Sequence, residues 1–237
     1  MFMPERRCNL THHLEWAVLF DVDGTMVDNA RYHEQAWIEL GNRYDVPITR
    51  AVYRTRLHSR ANSQIVSALF PDQSTPEFVH RIAAEKEALY RELYRPVVAE
   101  IDGLPQLLQA LADEPGVSCA AVSNSPRPNV DMILSALNLR DFFAVVLSCD
   151  DVSVGKPDPC LFLTAAQRLA VPVAQCVIIE DSISGFRAAE AAGAPYVVIT
   201  RGADPDELRH ATAAKAFHQD FTSVTVHGLR RLVASSA

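Results

Sequence analysis

Five short apolar runs recur along this 237-residue chain, each bounded by polar or turn-forming residues. Runs of this length that are apolar at consecutive positions are typical of strands buried on both faces of a parallel sheet. The pattern therefore predicts strands at 16–20, 117–122, 144–148, 176–180 and 196–200. A weaker strand-like patch follows at 221–226.

Segments with helical periodicity separate the last four of these strands, at 129–137, 159–169 and 184–192. Strands and helices that alternate at this pace form βαβ units, in which the strands lie parallel. The expected fold class is α/β, with a Rossmann-like parallel-sheet core.

The interval between the first two predicted strands is several times longer than the others and has no convincing strand. Its helical segments are expected at 30–44, 50–57, 62–69 and 76–94. We therefore predict an inserted α-helical cap domain over residues 28–100. The Rossmann-like core would then consist of residues 1–27 and 101–237.

The overall charge and composition exclude several classes of partner. The net charge of −7 disfavours nucleic acid, because phosphate backbones favour basic surfaces.

No apolar run is long enough to predict a membrane span, and residues 1–15 lack the apolar stretch of a signal peptide. The five cysteines form no CxxC pair, which indicates reduced thiols. We expect a cytoplasmic monomer.

The first predicted strand runs into two aspartates, in the segment Phe20-Asp21-Val22-Asp23-Gly24-Thr25. Residues two apart on a strand point to the same side, and α/β proteins bind ligands at the carboxyl ends of parallel strands. Gly24 permits a tight turn that brings backbone amides close to an anion. One aspartate could attack phosphorus while the other transfers a proton. The alternative is an aspartate-rich turn without chemistry.

Two further motifs follow the second and third strands. Ser123-Asn124-Ser125 ends the second strand, and a hydroxyl there could bind a phosphoryl oxygen, although Ser and Asn also cap helices and form turns. Gly155-Lys156-Pro157 precedes a predicted helix, and Lys156 could supply a fixed positive charge to a phosphoryl group. The alternative for Lys156 is an exposed loop lysine.

The fourth strand ends in two adjacent acids, Glu180 and Asp181, which are followed by Ser182. Carboxylates at this edge of the sheet are suited to Mg²⁺, which prefers carboxylate and water oxygens. Asp181 or Ser182 could equally cap the following helix, and the two roles can coexist.

Together, these four motifs at successive strand ends resemble those of the haloacid dehalogenase superfamily, and the resemblance extends over residues 16–202. It implies that Asp21 is the nucleophile and Asp23 the general acid and base. It also implies that Ser123 and Lys156 bind the transferring phosphoryl group. Dehalogenases and phosphonatases of the superfamily lack the second aspartate, so the presence of Asp23 disfavours those chemistries.

The resemblance further implies a Mg²⁺ cofactor. Asp21, Asp181 and the backbone carbonyl of Asp23 would bind the ion, and Glu180 would lie among these ligands or just behind them. Asn124, within the second motif, is expected to contact the substrate.

Three residues of the expected cap resemble substrate-facing positions in the subgroup of β-phosphoglucomutase and sugar-phosphate phosphatases. His33 lies near the first motif and could contact Asp23. Arg60 lies in a segment, 57–62, that is similar to the specificity loop of that subgroup, and it would retain an anion-binding arginine. Lys86 falls in the middle of an apolar helix stripe, where it either snorkels to solvent or faces an enclosed anion.

The expected function is a Mg²⁺-dependent phosphatase that hydrolyses a small phosphorylated metabolite, by resemblance a sugar phosphate, through an aspartyl-phosphate intermediate. A phosphomutase of the β-phosphoglucomutase type uses the same motifs, so this alternative stays open. A non-catalytic phosphate-binding protein is the alternative of another class. It would be expected to lose Asp21 or Asp181, and both are present.

Overall fold

A six-stranded parallel sheet forms the centre of the computed structural model, which describes residues 14–57, 60–203 and 205–234. The strands lie in the order β3-β2-β1-β4-β5-β6, and all adjacent pairs are parallel. The predicted α/β class with a Rossmann-like sheet is therefore confirmed. The strand bounds are β1 Trp16–Phe20, β2 Val117–Val122, β3 Val145–Leu147, β4 Cys176–Glu180, β5 Tyr196–Ile199 and β6 Ala216–His218.

Helices cover both faces of this sheet, because consecutive strand residues point to opposite sides. Val18 and Phe20 of β1 pack in one apolar cluster with α5, α6 and α10. Ala17 and Leu19 pack in a second cluster with α7 and α8. The helix bounds are α5 Leu104–Asp113, α6 Arg127–Ala136, α7 Cys160–Leu169, α8 Ile183–Ala192, α9 Pro205–Leu208 and α10 Val226–Ala234. Burial on both faces explains why β1 is continuously apolar.

The order of the strands reverses between β1 and β4. From β1 the chain builds β2 and β3 on one side, and it then crosses back to build β4, β5 and β6 on the other. At such a switch point the loops after the two central strands diverge and leave a crevice at the carboxyl edge of the sheet. Residues that follow Phe20 and Ile179, which are paired across β1 and β4, therefore line that crevice.

The long interval between β1 and β2 is helical, as predicted. An α-helical turn, α2, continues as a π-helical turn at Tyr53–Leu57. Trp37 of α1 and Ile82 and Leu89 of α4 are buried in the apolar interior of this helical insert. The bounds are α1 Ala30–Arg43, α2 Arg50–Val52, α3 Asn62–Leu69 and α4 Pro76–Tyr94.

Two adjacent linkers connect the helical insert to the sheet. Val27 pairs with Glu100 in an antiparallel bridge, and the Ile101 amide donates a hydrogen bond of 2.9 Å to the Met26 carbonyl. The chain thus leaves the sheet and returns to it at one place, which is the geometry of a hinge. The division into a core and a cap at residues 28–100 stays a prediction.

The strand-like patch at 221–226 was predicted wrongly. Residues Phe221–Ser223 form a single 3₁₀ turn and α10 begins at Val226, whereas the sixth strand is Ala216–His218. Phe221 and Val224 are buried and lie three residues apart, so the apolar spacing is helical rather than alternating. No helix within the described ranges has the length and apolar character needed to cross a membrane.

Candidate active site

The crevice at the carboxyl ends of the strands brings four predicted motifs together. Asp21 follows β1, Ser123 follows β2, Lys156 lies in the loop after β3, and Glu180 ends β4. Each of these four side chains is buried. Charged and polar groups in such surroundings need partners, so the contacts among them define what the site can do.

Lys156 is the central cation of the site. Its Nζ atom donates to Asp21 Oδ1 at 2.6 Å, to Glu180 Oε1 at 2.7 Å and to the Val122 carbonyl at 3.0 Å. Burial opposes the charged form, but Asp21 and Glu180 outweigh it and raise the pKa of Lys156. All three ammonium protons of Lys156 therefore donate hydrogen bonds. The alternative of an exposed loop lysine is excluded.

The Asp21 carboxylate has one engaged oxygen and one free oxygen. Oδ1 accepts the Lys156 hydrogen bond, whereas Oδ2 is buried and has no hydrogen-bond partner within the described part of the chain. Burial, followed by the charge of Glu180, raises the pKa of Asp21 well above its ordinary value. A buried oxygen without a protein partner is suited to contact a cation or a substrate atom.

The residues around Asp21 Oδ2 fit a divalent cation. Carboxylate oxygens of Asp21, Glu180 and Asp181 all lie within 4.8 Å of one another. Glu180 is less available, because Oε1 accepts from Lys156 and Oε2 accepts from the amides of Asp181 and Ser182. Asp21 and Asp181 are thus the side chains suited to bind Mg²⁺, with Glu180 behind them.

Gly24 is required where the chain turns past Asp181. Its φ angle is +91°, and a Cβ atom there would lie 2.1 Å from Asp181 Oδ2. Only glycine allows the backbone to approach a carboxylate this closely in a left-handed conformation. The position of Asp181 in the fourth motif therefore requires a glycine at position 24 in the first motif.

Arg201 is a site residue that the sequence analysis missed. Its guanidinium donates to Asp181 Oδ2 at 2.8 Å and pairs with Asp28 Oδ1 at 2.8 Å. Arg201 lies two residues after the end of β5, at the same edge of the sheet as Asp21. Its position just after a strand is the signal that could have identified it, because ligands bind at the carboxyl ends of parallel strands.

Asp23 points away from the cation position and toward the helical insert. Its Oδ2 accepts from Ser123 Oγ at 2.8 Å, and its Oδ1 accepts from Asn29 Nδ2 at 2.6 Å and lies 3.8 Å from His33 Nε2. Burial would raise the pKa of Asp23, but His33 and Ser123 outweigh burial and lower it. Both oxygens of the Asp23 side chain accept hydrogen bonds, which leaves the backbone carbonyl as the group suited to a metal site, as the resemblance implied.

Buried Lys86 and half-buried His33 form a pair within the insert. Lys86 Nζ lies 2.7 Å from His33 Nδ1 and donates to Glu87 Oε1 at 2.9 Å. The His33 ring stacks on Tyr90 with 3.8 Å between the ring centroids. Lys86 is only 2% exposed, which excludes the alternative of a snorkelling lysine. His33 thus connects Lys86 to the Asp23 carboxylate.

The two remaining predicted substrate contacts differ in their surroundings. Asn124 Nδ2 donates to the Lys156 carbonyl at 3.0 Å, and Asn124 Oδ1 accepts from the Lys156 amide at 2.8 Å. Both ends of this side chain therefore hold the backbone of Lys156. Arg60 is exposed and has no side-chain partner among the described residues. Residues 58 and 59 of the predicted specificity loop lie outside the described residues.

An open cavity of about 780 Å³ adjoins the carboxylates. This volume accommodates a small polar ligand of metabolite size. The cavity lies between the insert and the carboxyl edge of the sheet, so a bound molecule would contact both. Its lining includes Asp23, Asn29, His33, Asp181, Arg187 and Arg201.

Comparisons with known proteins agree with this geometry. The family model for haloacid dehalogenase-like hydrolases matches residues 17–193. Validoxylamine A 7'-phosphate phosphatase from Streptomyces hygroscopicus subsp. limoneus is 32% identical over 81% of this chain and 89% of its own length. Beta-phosphoglucomutase from Bacillus subtilis (strain 168) is 33% identical over 78% of this chain and 84% of its own length.

A solved structure gives the same result for the fold. The haloacid dehalogenase-type hydrolase of family IA, variant 3, from Entamoeba histolytica HM-1:IMSS superimposes with a TM-score of 0.84 at 26% identity. The match covers 92% of this chain and 99% of that one. The chain belongs to the haloacid dehalogenase-like hydrolase family.

Proposed function

We propose that this chain is a Mg²⁺-dependent phosphatase that transfers the phosphoryl group of a small phosphorylated metabolite to Asp21 and then to water. The observation that carries the proposal is the buried Oδ2 atom of Asp21, which lies beside Lys156 and Asp181 and has no hydrogen-bond partner among the described residues. The prediction of a phosphoric monoester hydrolase is confirmed as a class, because the family and its phosphatase relatives support it.

In the first step, Asp21 Oδ2 attacks phosphorus and the bond from phosphorus to the ester oxygen breaks. The leaving oxygen takes a proton from Asp23, which produces the free alcohol and an aspartyl phosphate. Asp23 is a carboxylate before the substrate binds, because its pKa is lowered. A phosphate monoester has a second pKa near 6, so its monoanion can bring the required proton into the site.

In the second step, Asp23 takes a proton from water and the resulting hydroxide oxygen attacks phosphorus. The bond between phosphorus and Asp21 breaks, which restores the Asp21 carboxylate. Inorganic phosphate leaves with the proton that Asp23 took from water, so Asp23 is again a carboxylate. Ser123 and Asn29 hold Asp23 in one orientation through both steps. Lys156 stabilises negative charge beside Asp21, and Asn124 and Glu180 hold Lys156 in place.

Asp21 and Asp181, together with the Asp23 carbonyl, would bind Mg²⁺. The cation would supply a positive charge that offsets repulsion between the carboxylate nucleophile and the anionic phosphate ester. In its presence the raised pKa of Asp21 would fall, since an adjacent cation favours the charged carboxylate.

A phosphorylated sugar is the proposed substrate class. The two relatives described above are named for a 7'-phosphate ester and for phosphoglucose. Lys86 and His33 would contact the part of the substrate that lies toward the insert, and Arg60 would approach a second anionic group. The proposed compartment is the cytoplasm, which rests on the composition alone.

A screen for phosphate release over sugar phosphates, phosphoglycolate and nucleotides tests the proposal. The expected result is Mg²⁺-dependent release, with the highest kcat/KM on a sugar phosphate. Incubation with β-glucose 1-phosphate distinguishes a phosphatase from a mutase. Formation of glucose 6-phosphate without free phosphate would indicate a mutase and contradict the phosphatase proposal. Binding of phosphate without turnover of any ester would instead favour the non-catalytic alternative.

A further inference from the structure

A buried polar contact connects the helical insert to the sheet domain at a distance from the reacting groups. Glu87 of α4 and Asn129 of α6 face each other, and Asn129 Nδ2 donates to Glu87 Oε2 at 2.6 Å. Asn129 is fully buried and Glu87 is 6% exposed. The proposed steps assign a role to neither residue, and neither follows a strand end.

Glu87 and Asn129 each have further hydrogen-bond partners. Glu87 Oε1 accepts from Lys86 at 2.9 Å and from Asn62 Nδ2 at 2.6 Å, while Oε2 is left for Asn129. The Asn129 Oδ1 atom accepts from Arg91 at 2.8 Å. Glu87 and Arg91 lie four residues apart on α4, so they flank the Asn129 amide from one helix face.

The chemistry of these partners fixes the direction of the Asn129 amide. An arginine can only donate hydrogen bonds, and an ionised carboxylate can only accept them. Burial would raise the pKa of Glu87, but Lys86 and His33 outweigh it and lower the pKa to about 2. The amide therefore places its oxygen toward Arg91 and its nitrogen toward Glu87, and neither partner tolerates a flipped amide.

We infer that Glu87 and Asn129 form a latch that holds the helical insert against the sheet domain and positions Lys86 over the site. The Glu87 carboxylate contacts both Lys86, which faces His33, and Asn129 of a core helix. Separation of α4 from α6 would therefore remove the core partner of the carboxylate that orients Lys86. A hydrogen bond to a charged group contributes about 1.5–3 kcal/mol, which changes the equilibrium constant between the closed and open forms roughly ten- to a hundredfold.

Exchanging the two functional groups tests this latch. Glu87→Gln alone turns an NH₂ group toward either the Asn129 amide nitrogen or Lys86, and both of these groups are donors. Asn129→Asp alone sets two carboxylates against each other. The double variant restores the contact, because the amide nitrogen introduced by Glu87→Gln donates to the carboxylate introduced by Asn129→Asp. The second oxygen of that carboxylate still accepts from Arg91.

The matched control for these variants is Asn138→Asp. Asn138 is exposed just beyond α6, so the substitution adds the same negative charge outside the contact. Its φ angle of 56° lies in the left-handed region, which aspartate tolerates about as well as asparagine.

The primary readout is hydrogen–deuterium exchange of α4 and α6 in the protein without substrate. Each single variant should increase amide exchange at the contact about tenfold, and the double variant should return it to within about threefold of the parent chain. Asn138→Asp should leave exchange unchanged. Single variants that exchange like the parent chain, or a double variant no better than the worse single variant, would overturn the latch.

Kinetics give the second readout, which alone rests on the proposed function. A lower equilibrium constant for closure should raise KM in the single variants, by at most roughly ten- to a hundredfold, and leave kcat within about threefold. Simple structural damage would instead lower kcat at constant KM. Should a single variant fail to fold, Asn129→Ser removes the amide without adding charge, and unchanged exchange in it would also refute the latch. Loss of phosphatase activity in the parent chain, with the exchange pattern intact, would refute the proposed function only.

Discussion

The Nζ atom of Lys156 lies 2.6 Å from Oδ1 of Asp21, and both side chains are buried. This contact engages one oxygen of the carboxylate and leaves Oδ2 directed into the site without a partner among the described residues. A nucleophile with one anchored and one free oxygen is pre-oriented for attack, which reduces the ordering required in the transition state.

Asp21→Asn should reduce turnover about a thousandfold or more, because an amide does not attack phosphorus. The fold should be retained, since burial already disfavours the charged form of Asp21. Steady-state phosphate release and thermal unfolding measure the two effects. The exposed Asp72 provides the control variant Asp72→Asn. Activity of Asp21→Asn at more than a few per cent of the parent chain would contradict the assignment.

Lys156→Met should lower kcat for every substrate alike and also destabilise the fold. The substitution leaves Asp21 and Glu180 buried without their shared cation, and loss of one partner from a buried ion pair costs about 3–5 kcal/mol. Lys215 is exposed, so Lys215→Met controls for the loss of a lysine. Kinetics on several esters and urea unfolding provide the measurements. If kcat fell for one substrate only, Lys156 would not contact the transferring phosphoryl group, which all the substrates share.

Gly24→Ala should weaken Mg²⁺ binding about tenfold or more, because its Cβ atom would collide with Asp181 Oδ2. Calorimetric titration with Mg²⁺ measures this without any substrate. Gly193→Ala is the matched control, since Gly193 has a similar φ of +73° but open space around its Cβ position. Equal Mg²⁺ affinity in the Gly24→Ala variant and the parent chain would show that Asp181 is not a ligand.

Arg60→Ala and Lys86→Ala should change the ranking of substrates, chiefly through KM. Each removes a charge-assisted contact of about 1.5–3 kcal/mol, equivalent to roughly ten- to a hundredfold. A kinetic panel of four or five phosphate esters measures the ranking. Arg56→Ala is a control, because Arg56 is also an exposed arginine of the insert. If neither variant alters any member of the panel, the specificity determinants lie elsewhere.

Acid should destabilise the protein partly through Glu87. Its pKa is lowered from 4.5 to about 2 by Lys86 and His33, against the effect of burial. A carboxyl group whose pKa is lower in the folded than in the unfolded protein stabilises the fold. This contribution is complete above the unfolded-state pKa and is lost as the pH falls toward the folded-state pKa. By pH 3 the loss from this group should be about 2 kcal/mol in the parent chain and absent from Glu87→Gln. Urea unfolding at pH 6 and pH 3 measures the difference, and equal losses in both proteins would contradict the lowered pKa.

The residues at strand ends could be located from the sequence because chain position alone determines where they lie. An apolar run that stops at Asp21 or at Glu180 marks the carboxyl edge of a parallel sheet, and the switch point brings those edges together. Arg201 obeys the same rule but follows a strand whose end has no acidic motif, so the sequence carried no second signal for it.

Glu87 and Asn129 could not be found from the sequence by any local signal. Each looks like an ordinary polar residue of a helix, and only the packing of α4 on α6 makes them partners. The patch at 221–226 was predicted wrongly because a short apolar run does not distinguish a strand from a helical turn. Pairings that depend on how two helices meet require the three-dimensional structure.

Mass spectrometry of the rapidly quenched enzyme tests phosphoryl transfer to Asp21 most directly. The protein is mixed with Mg²⁺ and its best phosphate ester, quenched in acid within the first turnover, and digested. The proposed mechanism predicts one phosphoryl group on the peptide that contains Asp21, formed before free phosphate appears and absent from Asp21→Asn. Release of phosphate in the first turnover without any phosphorylated peptide, or with the group on another residue such as His33, would contradict it.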